Sequence, residues 1–413
     1  MARSKRVLMI AYHFPPVSGS SGVHRTLQFA RYLRDHDWQP TVLTVHPRAY
    51  RETDDSQLEQ VPDDVRVVRA FALDTSRHLS LFGRYPLKLA LPDNWKTWAW
   101  GGTRAGLKII ARERPNVIWS TYPIATAHSI GLALHRKSGI PWVADFRDSM
   151  TEDHYPTPRE RWESYREIEG ETVHTCTRAV FTTPGARRMY AERYPDITDD
   201  RWAVIQNGYD EEDFRSAEAL PAPKREPGAP LRLVHAGILY PKERDPSAFF
   251  DAVKLVSDSA DTPRFQVVLR ATGHDEHHSR LIAERGLDEV VRLEPPRPYR
   301  EALCEMLHAD GLLLFQAANC NHQIPAKVYE YIRAARPVLA LTDRAGDTAS
   351  MLLQNGVESI AALDSVDEIE SCLRAFLKEC ETPREAGVDE SVAQHSREGR
   401  TRELAALFAG VVG

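Results

Sequence analysis

Cysteine is sparse. The five residues Cys176, Cys304, Cys320, Cys372 and Cys380 are scattered over 413 positions and odd in number, without a close CxxC pair. That argues against a disulfide framework and fits a reducing compartment. Long apolar runs are also missing. After the basic Met1 to Arg6, the first run is only Val7 to Ala11 before Tyr12, His13 and Pro15-Pro16, too short for a signal segment and far below the roughly 18 apolar residues of a membrane span. Nor is there an excess of positive charge: 53 Lys and Arg stand against 59 Asp and Glu, for a net charge of -6. A chain of this balance has no general attraction for nucleic acid. These absences point to a cytoplasmic protein that touches a membrane, if at all, peripherally at its inner face.

What the chain does have is a repeated rhythm. A length of 413 residues suits two ordinary domains. An apolar strand over Arg6 to Tyr12, a Gly/Ser/Pro loop, a helix from about His24 to Arg34 and a strand over Gln39 to Val45 form a β-loop-α-β unit, and the alternation continues to Thr182. Four prolines between Ala217 and Pro230 read as an interdomain linker. The alternation then restarts at Leu231. The expected architecture is α/β, with a first Rossmann-like domain over 1–216, a linker over 217–230, a second Rossmann-like domain over 231–391, and an amphipathic helix over 392–413 through Leu404, Leu407 and Phe408 that packs back on the first domain.

Several loops follow strand ends, where α/β sheets bind ligands. Gly19 and Gly22 lie between the first strand and the first helix. Free backbone N–H groups and the helix dipole would suit a phosphate or sugar hydroxyl there; a plain tight turn fits the same residues. His128 stands at or just inside a helix start, and Asp145 and Asp148 end a strand. These could contact substrate, and equally could bond a carbonyl or cap the next segment.

Longer segments carry more. Tyr12-His13-Phe14-Pro15-Pro16 with Gly19, Gly22, His24 and Arg25; Pro141 to Asp148; Val204-Ile205-Gln206-Asn207-Gly208-Tyr209-Asp210; Ala236 to Arg244; and Asn319 to Thr342 together resemble the GT-B glycosyltransferases over most of the chain, family 4 (glycosyl transferases group 1) in particular. The resemblance implies two Rossmann-like domains facing a cleft and a retaining, hexosyltransferase-type transfer from a nucleoside diphosphate sugar to a hydroxyl acceptor in glycan, polysaccharide or glycoside biosynthesis. It implies neither cofactor nor metal, and cleft closure about the linker.

By the same resemblance, Glu330 holds the donor ribose, a role that suits a carboxylate because it accepts from two hydroxyls at once. Lys242 and Arg244, after Gly237, face the diphosphate; Lys327 stands beside Glu330; Asn321, His322 and Gln323 meet the sugar. His128 and Asp145 are the catalytic candidates, and His24, Arg25 and Asp148 the acceptor contacts. Two departures stand out. Ile238 occupies the place after Gly237 where the family commonly has arginine, and His322 stands eight residues before Glu330 where many members have glutamate. The second leaves room for a non-catalytic sugar-nucleotide-binding or partner-supporting subunit; a GT-B sugar-nucleotide epimerase fits the segments less well.

Three further features invite other readings. His274-Asp275-Glu276-His277-His278 has metal-capable groups without helical ligand spacing and reads as a solvated loop. Asp35-His36-Asp37 falls at a helix end, remote from the expected cleft. Trp95, Trp98 and Trp100, with Tyr85, Lys88 and Lys96, suit a lipid headgroup interface or a lipid-linked acceptor, while core packing explains at least two of the tryptophans as readily.

Overall fold

The computed structural model describes residues 4–18, 22–382 and 390–413. The chain divides into two units, the first of Met1–Asn207 with Arg397–Gly413, the second of Gly208–Ser396.

In the first unit the elements run β1 Lys5–Ile10, α1 Gly22–Tyr32, β2 Trp38–Val45, β3 Arg66–Ala70, α2 Thr75–His78, α3 Thr97–Glu113, β4 Val117–Thr121, α4 Ala125–Ser138, β5 Trp142–Phe146, α5 Arg159–Thr175, β6 Arg178–Phe181, α6 Pro184–Arg193 and β7 Trp202–Val204. Every strand pairs parallel, in the order β3-β2-β1-β4-β5-β6-β7. The second unit holds α7 Glu211–Glu218, β8 Leu231–Ala236, α8 Ser247–Ser257, β9 Phe265–Arg270, α9 Asp275–Glu284, β10 Val291–Glu294, α10 Tyr299–Leu307, β11 Gly311–Phe315, α11 Ala326–Ala334, β12 Val338–Leu341, α12 Asp347–Gln354, β13 Ile360–Ala361, α13 Val366–Cys380 and α14 Glu390–Ala393. Its strands are also parallel, in the order β10-β9-β8-β11-β12-β13. The last helix, α15 Arg397–Val412, belongs to the first unit.

These strands form because parallel sheets covered on both faces need unbroken apolar runs. Val-Leu-Met-Ile in β1, Gly-Leu-Leu-Leu-Phe in β11 and Val-Leu-Ala-Leu in β12 supply them, and all of these residues are buried. Helix ends follow local chemistry. Thr183 accepts from the Ala186 N–H ahead of Pro184 at the start of α6, and α4 stops at Gly139 in the left-handed conformation.

The division falls earlier than the proline-rich stretch expected as a linker. Phe214 and Ala217 of α7 are buried in the second unit's core, and Arg333 of α11 donates to both Glu211 and Glu218. The prolines therefore lie inside the second unit, leading to β8. The expected C-terminal helix is two pieces: α14 stays with the second unit and α15 packs on α1, its Phe408 ring edge-on to Trp38 at 5.3 Å. The His274 to His278 segment is not a solvated loop. It opens α9, and His278 is buried with Nε2 3.1 Å from the Leu239 carbonyl.

A buried ion pair fixes the second unit: Arg270, at the end of β9, binds both oxygens of Glu305 on α10, and both side chains are nearly inaccessible. Replacing Glu305 with Ala strands a buried guanidinium and should cost about 3–5 kcal/mol in urea unfolding, whereas Arg270→Met with Glu305→Leu should recover much of that loss.

Candidate functional site

The carboxyl end of the first unit's sheet gathers the loops after β1, β4 and β5. Gly22 begins α1, and its carbonyl accepts from Arg147 Nη1 at 3.0 Å; Gly19 lies outside the described residues. Beneath this rim Arg25 and Asp145 form a bidentate pair, with Nη2 to Oδ1 at 2.8 Å and Nε to Oδ2 at 3.1 Å. Thr121 donates to the same Oδ2, and Arg25 also donates to the carbonyls of Ile205 and Gln206 and to Asn207 Oδ1.

Three of the expected site residues are drawn into the packing. Asp145, expected as catalytic, is wholly buried and engaged by Arg25 and Thr121, and Arg25, expected at the acceptor, is buried with it, so the pair fixes the backbone around it. His128 is also fully buried. Its Nδ1 lies 2.8 Å from Ser120 Oγ, which also accepts from Trp142 Nε1. Burial pushes its pKa down to about 3, so the ring is a neutral core group. His24 stays half-buried in the first turn of α1, and Asp148 is exposed. Burial, aided by neighbouring arginines, holds His13 and His24 down near about 4.

Two rim residues, His13 and Arg147, received no role from the sequence although both lie in the segments that carry the family resemblance. A third omission is Asp93, buried, which accepts from the Thr126 N–H and Oγ1 and so caps α4.

In the second unit the loops after β8, β11 and β12 converge. Gly237 has φ +151, and a Cβ there would meet Lys327 Cε at 2.9 Å. Lys327 thus lies over the bare backbone at the end of β8; the positive φ favours glycine there, and any Cβ would push the lysine's flexible end aside. Glu330 is one turn along α11 from Lys327, on the same side; it is half-buried and accepts from Tyr299 Oη at 2.8 Å. Arg244 reaches Gln316 Oε1 at 3.4 Å. Lys242 instead lines a cavity of about 650 Å³ with Gln316, Asp343 and Asp364, at the ends of β8, β11, β12 and β13.

Asn321 is pinned: its Nδ2 donates to Asp343 Oδ2 at 2.6 Å and its carbonyl accepts from the Asp347 N–H. Its side chain holds one loop to the next. His322 is half-buried beside it, and Gln323 is exposed.

His235 was missed. It follows the apolar Leu233-Val234 of β8, directly before Ala236-Gly237, and that placement was the available signal. Its Nδ1 lies 2.9 Å from the Leu313 carbonyl, and its buried Nε2 has no partner among the described residues. Burial, with the charges of Lys327 and Arg244 adding to it, pushes its pKa down to about 4. Tyr299 and Gln316 were also missed, and nothing in the sequence marks either.

Two parallel α/β units, each with its polar residues at the strand carboxyl ends, define the class as a two-domain α/β fold of the Rossmann type. The profile of the Glycosyl transferase 4-like domain matches residues 21–208, a little under half of the chain and nearly all of the first unit's sheet. Among solved structures, Anabaena Alr3699/HepE in complex with UDP and glucose is similar over 98% of this chain and 100% of that one, at 13% identity and a TM-score of 0.60. The lipopolysaccharide outer core galactosyltransferase WaaB matches over 97% and 99%, at 11% identity and 0.62. A putative UDP-N-acetylglucosamine 2-epimerase from Listeria monocytogenes matches over 98% and 96%, at 12% identity and 0.57. No curated protein sequence matches the chain. The fold is that of the GT-B glycosyltransferases, one it shares with the epimerase.

The buried histidines set a pH dependence. An unfolded His128 binds a proton near 6.5, the folded one only near about 3. Between these values the unfolded chain holds more protons, so this ring's contribution makes stability fall as pH drops below about 6.5, at up to ~1.4 kcal/mol per pH unit. Urea midpoints measured from pH 7 to pH 4.5 should therefore fall less steeply for His128→Gln than for the unaltered protein.

Proposed function

We propose that the protein transfers a sugar from a nucleoside diphosphate sugar to a hydroxyl acceptor with retention of configuration. The observation that carries this reading is Lys327 lying over Gly237, one helical turn from Glu330. A cation against bare backbone at a strand end suits a diphosphate, and a carboxylate held at the next turn suits a ribose. HepE, which shares the fold, is described with UDP and glucose bound.

In this reading Glu330 accepts from the ribose hydroxyls, with Tyr299 fixing the carboxylate. Lys327 and Arg244 balance the charge that grows on the diphosphate as the glycosidic bond breaks. The acceptor oxygen forms its bond to the anomeric carbon, the bond to the diphosphate oxygen breaks, and the hydroxyl proton passes to the departing diphosphate. The protein's part is positioning and electrostatics, with no resident cofactor or metal in any step. His322 and Gln323 flank the sugar, and Arg147, His13 and His24 line the first unit's rim for the acceptor. His322, in place of the family's earlier glutamate, favours a second reading, a sugar-nucleotide-binding subunit without turnover.

A panel of UDP, GDP and TDP sugars separates the two. Release of nucleoside diphosphate supports transfer; a thermal shift without release under any acceptor mixture supports the binding subunit, and neither response sinks both. Glu330→Ala should weaken donor binding roughly 10- to 150-fold through loss of charged hydrogen bonds. Gly237→Val should displace Lys327 and abolish the donor-induced thermal shift, whereas Lys242→Ala, which lines the cavity beside Asp343 and Asp364, should keep most of it.

A further inference from the structure

Between β3 and the end of α3 the first unit carries a cap whose surface its own packing does not explain. Trp98 is fully buried and Trp95 donates to the Ala49 carbonyl, so two of the three tryptophans serve the core. Trp100 is 67% exposed and meets Phe71, itself 47% exposed, edge-on. Leu79, Leu81, Phe82 and Leu89 are exposed in the same stretch, Phe82 to 96%. The segment is nonetheless well tied: Thr75 Oγ1 donates to the Leu89 carbonyl at 2.9 Å, and Thr97 Oγ1 accepts from the Leu73 N–H at 2.8 Å.

The tip of this cap is a two-residue hairpin. Leu81 and Arg84 exchange both backbone hydrogen bonds, at 2.9 and 3.0 Å, and the two residues between them have φ 52 (Phe82) and φ 73 (Gly83). Such turns favour Asn-Gly; a bulky residue at the first position is strained. Here the strained residue is a phenylalanine with its ring in water, which costs stability and gains no packing. An outlier of this kind points to function.

The charge around it runs against the rest of the chain. From Thr75 to Arg112 there are seven Lys and Arg and one acid, Asp93, which is buried, in a protein of net charge -6. The side chains of Arg84, Lys88, Arg104, Lys108 and Arg112 have no hydrogen-bond or ion-pair partner among the described residues. A groove of about 410 Å³ between β3 and α3 is lined by Phe71, Trp100 and five basic residues; Arg66 pairs with Glu113 and Arg69 donates to the Pro15 carbonyl, which leaves Arg104, Lys108 and Arg112 without a partner among the described residues.

We propose that this cap docks the protein on an anionic phospholipid bilayer, the Leu81-Phe82 tip entering the headgroup layer and the β3–α3 groove taking lipid phosphates. Exposed apolar groups in one stretch of chain with unpaired cations, Arg84 and Lys88 near the tip and Arg104, Lys108 and Arg112 along the groove, are what an anionic interface selects. No helix among the described residues is long and apolar enough to cross a membrane, so the contact is peripheral. The inference uses the first unit alone and stands whether or not the second unit binds a sugar nucleotide.

The test is co-sedimentation of the full chain with vesicles of phosphatidylcholine alone and of phosphatidylcholine mixed with phosphatidylglycerol. The expected result is binding to the mixed vesicles only, reversed by salt. It should weaken at least about tenfold in Leu81→Ser/Phe82→Ser and in Arg104→Glu/Lys108→Glu, with melting temperatures unchanged. Equal affinity for both vesicles, or variants that bind like the unaltered protein, would overturn the proposal. So would a dimer in light scattering that Phe82→Ser disrupts, because a second copy would then cover the tip.

Discussion

Arg25 and Asp145 are both withdrawn from water, and a charge so placed persists only where its partner and remaining hydrogen bonds are fixed. The consequence reaches well beyond the two side chains. Arg25 lies on α1, directly after the glycine loop; Asp145 closes β5; and the carbonyls of Ile205 and Gln206 complete the guanidinium's shell. Arg400, from α15, reaches the same segment through Gln206 Oε1 at 2.9 Å. Four stretches of chain distant in sequence are thereby held in one register, and they include the two places where the chain passes between units. The residues that look most reactive in the sequence are the ones that hold the rim in place.

Neutral imidazole is a second recurring device. His128 and His235 are each buried with Nδ1 engaged and Nε2 without a partner among the described residues. In a low-dielectric interior the uncharged ring is favoured, so each offers a polar edge without a buried charge. His235 differs in its neighbours, since Lys327 and Arg244 bear on it, and a diphosphate held by those cations would lie close to the imidazole.

The alternation of strands and helices was legible because both parallel sheets need apolar runs that stand out locally. Leu231–Ala236 and Gly311–Phe315 were readable to the residue. Helix α5, Arg-Glu-Arg-Trp-Glu-Ser-Tyr-Arg-Glu-Ile-Glu-Gly-Glu-Thr-Val-His-Thr, was not, because it buries little apolar surface and instead holds Glu169 among Thr151, Arg166, Tyr190, Arg193 and Tyr194. A polar network has no period to detect. The joint between units was misjudged for a related reason. Prolines signal irregular backbone, whereas domain membership depends on which core takes Phe214 and Ala217, and that is a matter of distant contacts.

The sequence alone determined that the chain makes two α/β units of parallel strands, and that Gly237, Lys327 and Glu330 stand in loops and on a helix at strand ends. Those are consequences of period, turn chemistry and order along the chain. Tertiary structure alone decided the state of each polar side chain: that Arg25 and Asp145 satisfy one another, that His128 is a core group, that Lys327 rests on Gly237, and that Trp98 is inside while Phe82 is not. Burial and partnership arise only when segments far apart in the chain are brought together, and no local pattern encodes them.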